Sequence, residues 1–203
     1  MSTAEIDRAV DAVRRGRLAV VPTDTVYGLV AAPDDVGAVR ELSVLKGRPP
    51  EQPIAILAAT VEAILTAVPE LTDVNVAAAR ALLPGPYTLV LSNPGRRFPA
   101  LTGGTAVAIG IRVPAVTGPG HRFLERAGIV AATSANLHGG PDPRLLDDVP
   151  AEMRHACATV DGGELPGRPS TVVDLTGPAP RVLREGAVPA RQALERLAGV
   201  LGG

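Results

Sequence analysis

A chain of 203 residues with 20 basic and 21 acidic side chains has a formal net charge of −1, and 46% of its residues are hydrophobic. That balance supports a real apolar core and excludes the low-hydrophobicity, high-charge signature of a disordered regulator. The longest apolar runs, Ile54 to Ala59 and Ala106 to Ile111, fall far short of the roughly 18 residues of a membrane span. The N-terminus lacks a basic-then-apolar leader, and the lone Cys157 can form no internal disulfide, so no membrane segment and a cytoplasmic location are expected.

Ser2-Thr3-Ala4-Glu5 reads as a capping box for a helix whose Ile6, Ala9, Val10 and Val13 share one face, stopped at Gly16. Leu18 to Val21 is a short buried strand that Pro22 ends, delivering the chain into Thr23-Asp24-Thr25-Val26-Tyr27-Gly28. Asp34 or Asp35 caps a helix through Val36, Val39 and Leu42 that ends near Lys46, with Pro49-Pro50 forbidding continuation. Strand Ile54 to Ala58, helix Val61 to Val68, helix Val74 to Leu83 and strand Tyr87 to Leu91 follow. Further strands are expected at Ala106 to Val113, Ile129 to Thr133, Ala158 to Val160, Thr171 to Leu175 and Arg181 to Arg184, and a helix from Ala190 to Val200 closes the chain. The alternation is that of a mixed α/β sheet, with residues 1–203 as one domain and long loops at 93–105, 115–120 and 138–143.

Standard nucleotide and hydrolase signatures, the phosphate loop, the dinucleotide glycine fingerprint and Gly-x-Ser-x-Gly, do not occur. The three histidines, His121, His138 and His155, lack metal-ligand spacing and read as solvated, so no protein metal site is expected. Of the 20 basic residues 19 are arginine, and the single lysine is Lys46. A lysine retained against such a bias marks a task for a compact ammonium. Both tyrosines fall inside motif-like stretches, and Pro22-Thr-Asp-Thr-Val-Tyr-Gly28, Lys46-Gly-Arg-Pro49, Pro84-Gly-Pro-Tyr-Thr88, Ile111-Arg-Val-Pro114, Thr133-Ser-Ala-Asn136, Ser170-Thr-Val-Val173 and Val182-Leu-Arg-Glu-Gly186 lie mostly at expected strand ends. Together they supply fixed cations, hydroxyls and an amide, which suits a polyanion plus a small polar molecule.

Taken in order, these seven motifs resemble the YrdC/TsaC family of threonylcarbamoyl-AMP synthases in its single-domain form. The resemblance implies a twisted mixed parallel/antiparallel sheet flanked by helices around an open cavity. It also implies the reaction of L-threonine, bicarbonate and ATP to threonylcarbamoyl-AMP, pyrophosphate and water, the first step of a tRNA modification. Carried over residue by residue, it places Thr25, Arg112, Ala132 (through its backbone) and Ser170 on threonine, with Arg112 forking the carboxylate. Lys46 and Arg48 fall on the ATP phosphates as the catalytic cations, and Gln52, Ser134, Asn136 and Arg184 complete the nucleotide site. Mg²⁺ would accompany ATP, and a labile product implies hand-over to a downstream tRNA threonylcarbamoyl transferase complex, with tRNA itself a possible ligand. Lys46→Ala and Arg112→Ala are expected to abolish turnover and leave the fold intact.

Each residue also has a plainer reading. Lys46 and Arg48 suit a solvated helix end. Thr23 and Thr25 suit turn hydroxyls bonded to their own backbone, Ser134 and Asn136 a local side-chain turn, and Ser170 a strand edge. Arg112, in an apolar strand, needs a partner for its charge, either a ligand carboxylate or a structural ion pair. Arg184 with Glu185 suits a surface pair, and Pro84 to Tyr87 a rigid turn. The chain departs from the family pattern at Leu57, where a His is usual, at Ala108, where a Thr is usual, and at Gln52, where an Asn is usual. Those departures keep open a carbamoyl-adenylate-forming paralogue acting on another acceptor. A non-catalytic RNA-binding module is the third reading, which the net charge of −1 disfavours.

Overall fold

The computed structural model describes residues 3–49 and 51–201. Ser2 of the expected capping box and Pro50 of the expected helix stop lie outside the described residues. Helix α1 (Thr3–Arg14) leads into strands β1 (Ala19–Pro22) and β2 (Tyr27–Ala31), then helix α2 (Val36–Lys46), strand β3 (Ala55–Leu57), and helices α3 (Val61–Ala67) and α4 (Asp73–Leu82). Strands β4 (Tyr87–Ser92) and β5 (Ala108–Arg112), helix α5 (Gly118–Ala127), strand β6 (Val130–Ser134) and helix α6 (Ala151–Ala156) follow. Strands β7 (Ala158–Thr159), β8 (Thr171–Asp174), β9 (Arg181–Arg184) and helix α7 (Ala190–Leu201) complete the order.

The nine strands form one open sheet in the order β7-β1-β2-β6-β3-β5-β4-β8-β9. Pairs β1/β7, β3/β5 and β4/β8 are parallel and the other neighbours antiparallel, so the sheet is mixed as expected. Side chains alternate between faces along each strand, and the two faces have different fates. On one, Tyr27, Leu29, Ile56, Leu89, Ile109, Ile111 and Val173 join the larger core with Leu42 of α2, Ala78 and Leu82 of α4, and Ala193 and Leu197 of α7. On the other, Ala19, Val21, Val30 and Val130 pack under Ile6, Val10 and Val13 of α1 and Phe123 and Leu124 of α5. Those two helices cover the β7-β1-β2-β6 end. Beyond it the same face turns Leu57, Gly110, Arg112, Thr88, Val90 and Val172 into a cavity of about 640 Å³. Small residues keep that face open: Ala55 and Gly110 are register partners, and a Cβ on Gly110 would lie 3.2 Å from that of Ala55.

Strand β2, the start of α5 and the stop of α2 depart from the sequence reading. Strand β2 (Tyr27–Ala31), whose five residues are all buried, is not among the expected strands, although its first two residues close the Pro22 to Gly28 motif. The stretch read as a loop at 115–120 contains the start of α5, which opens on Gly118-Pro119-Gly120. Helix α2 is capped by the Asp35 carboxylate, which accepts from the Ala38 amide at 3.0 Å, and ends at Lys46, both as expected, but Gly47 in the left-handed conformation (φ 64°) stops it before the prolines are reached.

Candidate functional site

Four cations from three separate segments meet at the cavity. Lys46 comes from the last turn of α2, Arg48 from just past its cap, Arg112 from the end of β5 and Arg184 from the end of β9. Among the described lining residues the only carboxylate is Asp142.

Lys46 is 4% exposed, and its ammonium reaches across to the segment after β6. Nζ donates to Ser134 O at 2.7 Å, Asn136 O at 2.8 Å and Asn136 Oδ1 at 2.6 Å, with Ser134 Oγ at 3.3 Å. Three protons meet three close acceptors, so Lys46 braces the 134–136 turn as well as charging the wall. Burial first, then the nearby Arg48 charge, pull its pKa down from 10.5 to about 8, with Asp142 opposing. Ser134 Oγ donates to Asn136 Oδ1 at 2.6 Å, and Asn136 Nδ2 donates to Gly140 O at 2.6 Å. The plain side-chain-turn reading of these two residues is therefore part of the truth, and both also line the cavity.

Arg48 donates from Nη1 to Thr133 Oγ1 at 2.9 Å and from Nη2 to Pro53 O at 2.5 Å. Arg184 Nη2 donates to Ser170 O at 2.9 Å, and Ser170 Oγ shares a 2.8 Å bond with Thr88 Oγ1. The Arg184 side chain thus turns to the cavity rather than forming a surface pair with Glu185. Burial and the Arg184 charge lower the pKa of Arg48, and burial and the Arg112 charge lower that of Arg184. These guanidiniums feel one another across the cavity, and arginine stays protonated regardless.

Arg112 is 9% exposed and already holds a protein partner, so of the two expected ways to satisfy its charge the structural ion pair is present. Its Nη2 donates to Asp24 Oδ1 at 2.5 Å and to Thr25 Oγ1 at 2.6 Å, and Asp24 Oδ2 accepts from the Ala115 amide at 3.0 Å. The structural ion pair is real, yet it occupies one edge of the guanidinium. Among the described residues Nη1 makes no hydrogen bond, and Nε of both Arg112 and Arg48 is buried without a partner. Each such sealed donor costs about 1–3 kcal/mol, whereas Arg112 Nη1 is not sealed and is the open donor a ligand acceptor can reach.

Nine of the ten expected site residues line this cavity: Lys46, Arg48, Gln52, Arg112, Ala132, Ser134, Asn136, Ser170 and Arg184. Thr25 does not; it is 0% exposed and stands behind Arg112. Thr23 lines the cavity in its place, while its hydroxyl donates to Val26 O at 2.7 Å, as the turn reading anticipates. Ala132 lies in register between Val30 and Ala55 inside the sheet, so it turns a methyl group to the cavity rather than spare backbone. Leu57 and Ala108 both line the wall, so the departures from the family pattern fall in the site itself. Sequence reasoning missed Asp24, Thr88, Thr133 and Asp142. Asp24 carried a signal, a carboxylate at a strand end beside two hydroxyls. His138, read as solvated, lines the rim, and its amide donates to Lys46 O at 2.8 Å. Cys157 is half-buried away from the cavity, its pKa pushed up to about 12 chiefly by burial, and is no nucleophile here.

Among the described residues no group of three or more His, Cys, Asp or Glu side chains converges as a metal site, and no helix is long and apolar enough to cross a membrane.

Residues 11–186 match the Sua5/YciO/YrdC family, described as "Telomere recombination". The chain is 35% identical over 195 residues to the threonylcarbamoyl-AMP synthase of Pyrococcus abyssi, covering 94% of this chain and 55% of that protein. It is 34% identical over 171 residues to the threonylcarbamoyl-AMP synthase of Chromohalobacter salexigens, covering 82% of this chain and 90% of that one. The crystal structure of P. abyssi Sua5 complexed with L-threonine superposes with a TM-score of 0.88 at 33% identity, over 98% of this chain and 59% of that one. The chain therefore spans little more than half the length of the P. abyssi protein.

Proposed function

The chain belongs to the Sua5/YciO/YrdC family, and from that premise we propose that it is an L-threonylcarbamoyladenylate synthase, a nucleotidyltransferase acting on ATP, L-threonine and bicarbonate. The observation that carries this reading is the convergence of Lys46, Arg48, Arg112 and Arg184 on one cavity. A site charged in that way is built for a polyanion, and its volume of about 640 Å³ suits a nucleotide with a small co-substrate.

The division of labour follows from which donors remain open. Arg112, braced by Asp24 and Thr25, offers its free edge to the threonine carboxylate, beside the apolar surface of Leu57 and Ala132. Arg48 and Arg184, with Lys46 behind the 134–136 turn, face the triphosphate, and Gln52 adds an amide without a side-chain partner among the described residues. The threonine amine takes up bicarbonate as a carbamate, with loss of water, and a carbamate oxygen attacks the α-phosphorus. Pyrophosphate leaves against cations held in place before the reaction begins, where fixed charge is most effective. The hydroxyls of Ser134 and Ser170 are tied to neighbouring protein groups and no adjacent base activates them, so direct transfer needs no covalent enzyme intermediate. Mg²⁺ enters as part of the ATP complex. The adenylate passes to a tRNA-modifying transferase, and these substrates place the enzyme in the cytoplasm.

The test is pyrophosphate release from ATP, with L-threonine and bicarbonate supplied together and singly, and with L-serine as competitor. Release that needs both threonine and bicarbonate is expected. Release without bicarbonate moves the assignment to a carbamoyl phosphate user, and ATP-independent tRNA binding without turnover moves it to a binding module.

A further inference from the structure

Asp142 is a carboxylate in the wrong place for a simple anion site. It sits half-buried on the wall of a cavity otherwise charged by four cations, and no described residue donates a hydrogen bond or forms an ion pair with it. Nothing about its position is loose. The prolines on either side, Pro141 and Pro143, restrict its backbone. The segment is tied down by Asn136 Nδ2 donating to Gly140 O at 2.6 Å, by the Tyr27 amide donating to Pro143 O at 3.1 Å, and by the His138 amide donating to Lys46 O at 2.8 Å. It lines the same cavity as Lys46 and Arg184, the cations assigned above to the phosphates, and its charge acts on both.

A fixed, unpaired carboxylate there repels a triphosphate unless a cation stands between them. Magnesium is a hard ion that takes oxygen ligands, and with nucleotides it is held by one or two carboxylates together with phosphates and water. The protein offers no metal site of its own among the described residues, so the single carboxylate fits a cation that arrives with the substrate.

We propose that Asp142 is the protein's ligand for the divalent cation carried in by the nucleotide. The inference rests on the reading of the cavity as an ATP site, and it makes Asp142 a selector for the metal-bound form of that substrate. Without a metal, Asp142 opposes binding; with one, it becomes the anchoring contact.

Calorimetric titration of the full chain with ATP, once in EDTA and once in excess Mg²⁺, separates the two ideas, with Asp142→Asn beside the wild type and melting temperatures to confirm folding. For the wild type Mg²⁺ is expected to strengthen ATP binding on the order of tenfold, the scale of one charge-assisted contact. Asp142→Asn should bind metal-free ATP at least as tightly as the wild type and gain roughly nothing from Mg²⁺, while Asp142→Glu should regain part of the Mg²⁺ response. An equal Mg²⁺ gain in wild type and Asp142→Asn, a wild type indifferent to Mg²⁺, or a uniform weakening of Asp142→Asn under both conditions overturns the proposal and leaves the ATP site standing. No ATP binding by the wild type in either buffer overturns the ATP reading itself.

Discussion

Lys46 is the only lysine in the chain, and its burial makes ATP binding dependent on pH in a calculable way. With a pKa of about 8, its ammonium is mostly protonated at pH 7 and mostly neutral at pH 9. A neutral amine has two N–H donors and a lone pair, while Ser134 O, Asn136 O and Asn136 Oδ1 all lie within 2.8 Å. One acceptor then faces a lone pair, the 134–136 turn loosens, and the wall loses a charge. If the charged form alone is competent, apparent affinity scales with its population, which falls by about tenfold from pH 7 to pH 9. Calorimetric titration with ATP in Mg²⁺ between pH 7 and pH 9.5 is the assay, since secondary phosphate ionisation near about 6 is then complete. Lys46→Arg keeps its charge throughout and should bind with little pH dependence. The same ionisation has the opposite sign for stability. The folded value lies below the unfolded one, so between pH 8 and 10.5 the unfolded chain holds a proton that the folded chain has released. This group's contribution to stability therefore rises with pH across that window, by about 3 kcal/mol in all. Wild-type ATP affinity that stays flat to pH 9.5, or falls equally in Lys46→Arg, would refute the reasoning.

Two further perturbations probe the scaffold behind the site. Asp24→Ala removes the partner of Arg112 from a pair whose side chains are 7% and 11% exposed and leaves the Ala115 amide without its acceptor. The loss of stability should be about 3 kcal/mol by urea denaturation, and a cost under about 1 kcal/mol would show that solvent in the cavity replaces the carboxylate. Tyr27→Phe deletes a hydroxyl that accepts from the Gly162 amide at 2.9 Å and shares its proton between Asp161 Oδ1 and Gly163 O, each at 2.9 Å. A loss of about 1–3 kcal/mol with an unchanged denaturant slope is expected, and no measurable change would mean that water takes over these partners. The bonding of Lys46 and Arg112 also revises the expectation that their alanine variants keep an intact fold: each substitution strips partners from buried protein groups as well as from substrate.

Much of this architecture was legible in short stretches of chain. The α2 boundaries follow from Asp35, the apolar spacing of Val39 and Leu42, and Gly47, because caps and periodicity act within a few residues. The opening of α5 was not legible, since Gly118-Pro119-Gly120 looks like a turn. Packing explains the glycine at 120: a Cβ there would lie 2.3 Å from Pro22 O, so the helix approaches β1 only because that residue has no side chain. Strand β2 was hidden for a different reason, because its residues belong at once to a motif and to the middle of the sheet.

For the site, sequence determined the chemical inventory: the lone lysine, the arginines at strand ends and the hydroxyl-rich motifs were visible one by one. Tertiary structure decided the pairing. Lys46 meets Ser134 across 88 positions, and Arg112 meets Asp24 across another 88. Only the folded sheet could show that Thr25 stands behind Arg112, that Thr23 faces the cavity, and that Asp142 is the carboxylate left open there. Local sequence specifies donors, acceptors and backbone preferences, whereas burial and pairing depend on distances that exist only once remote strands are brought together.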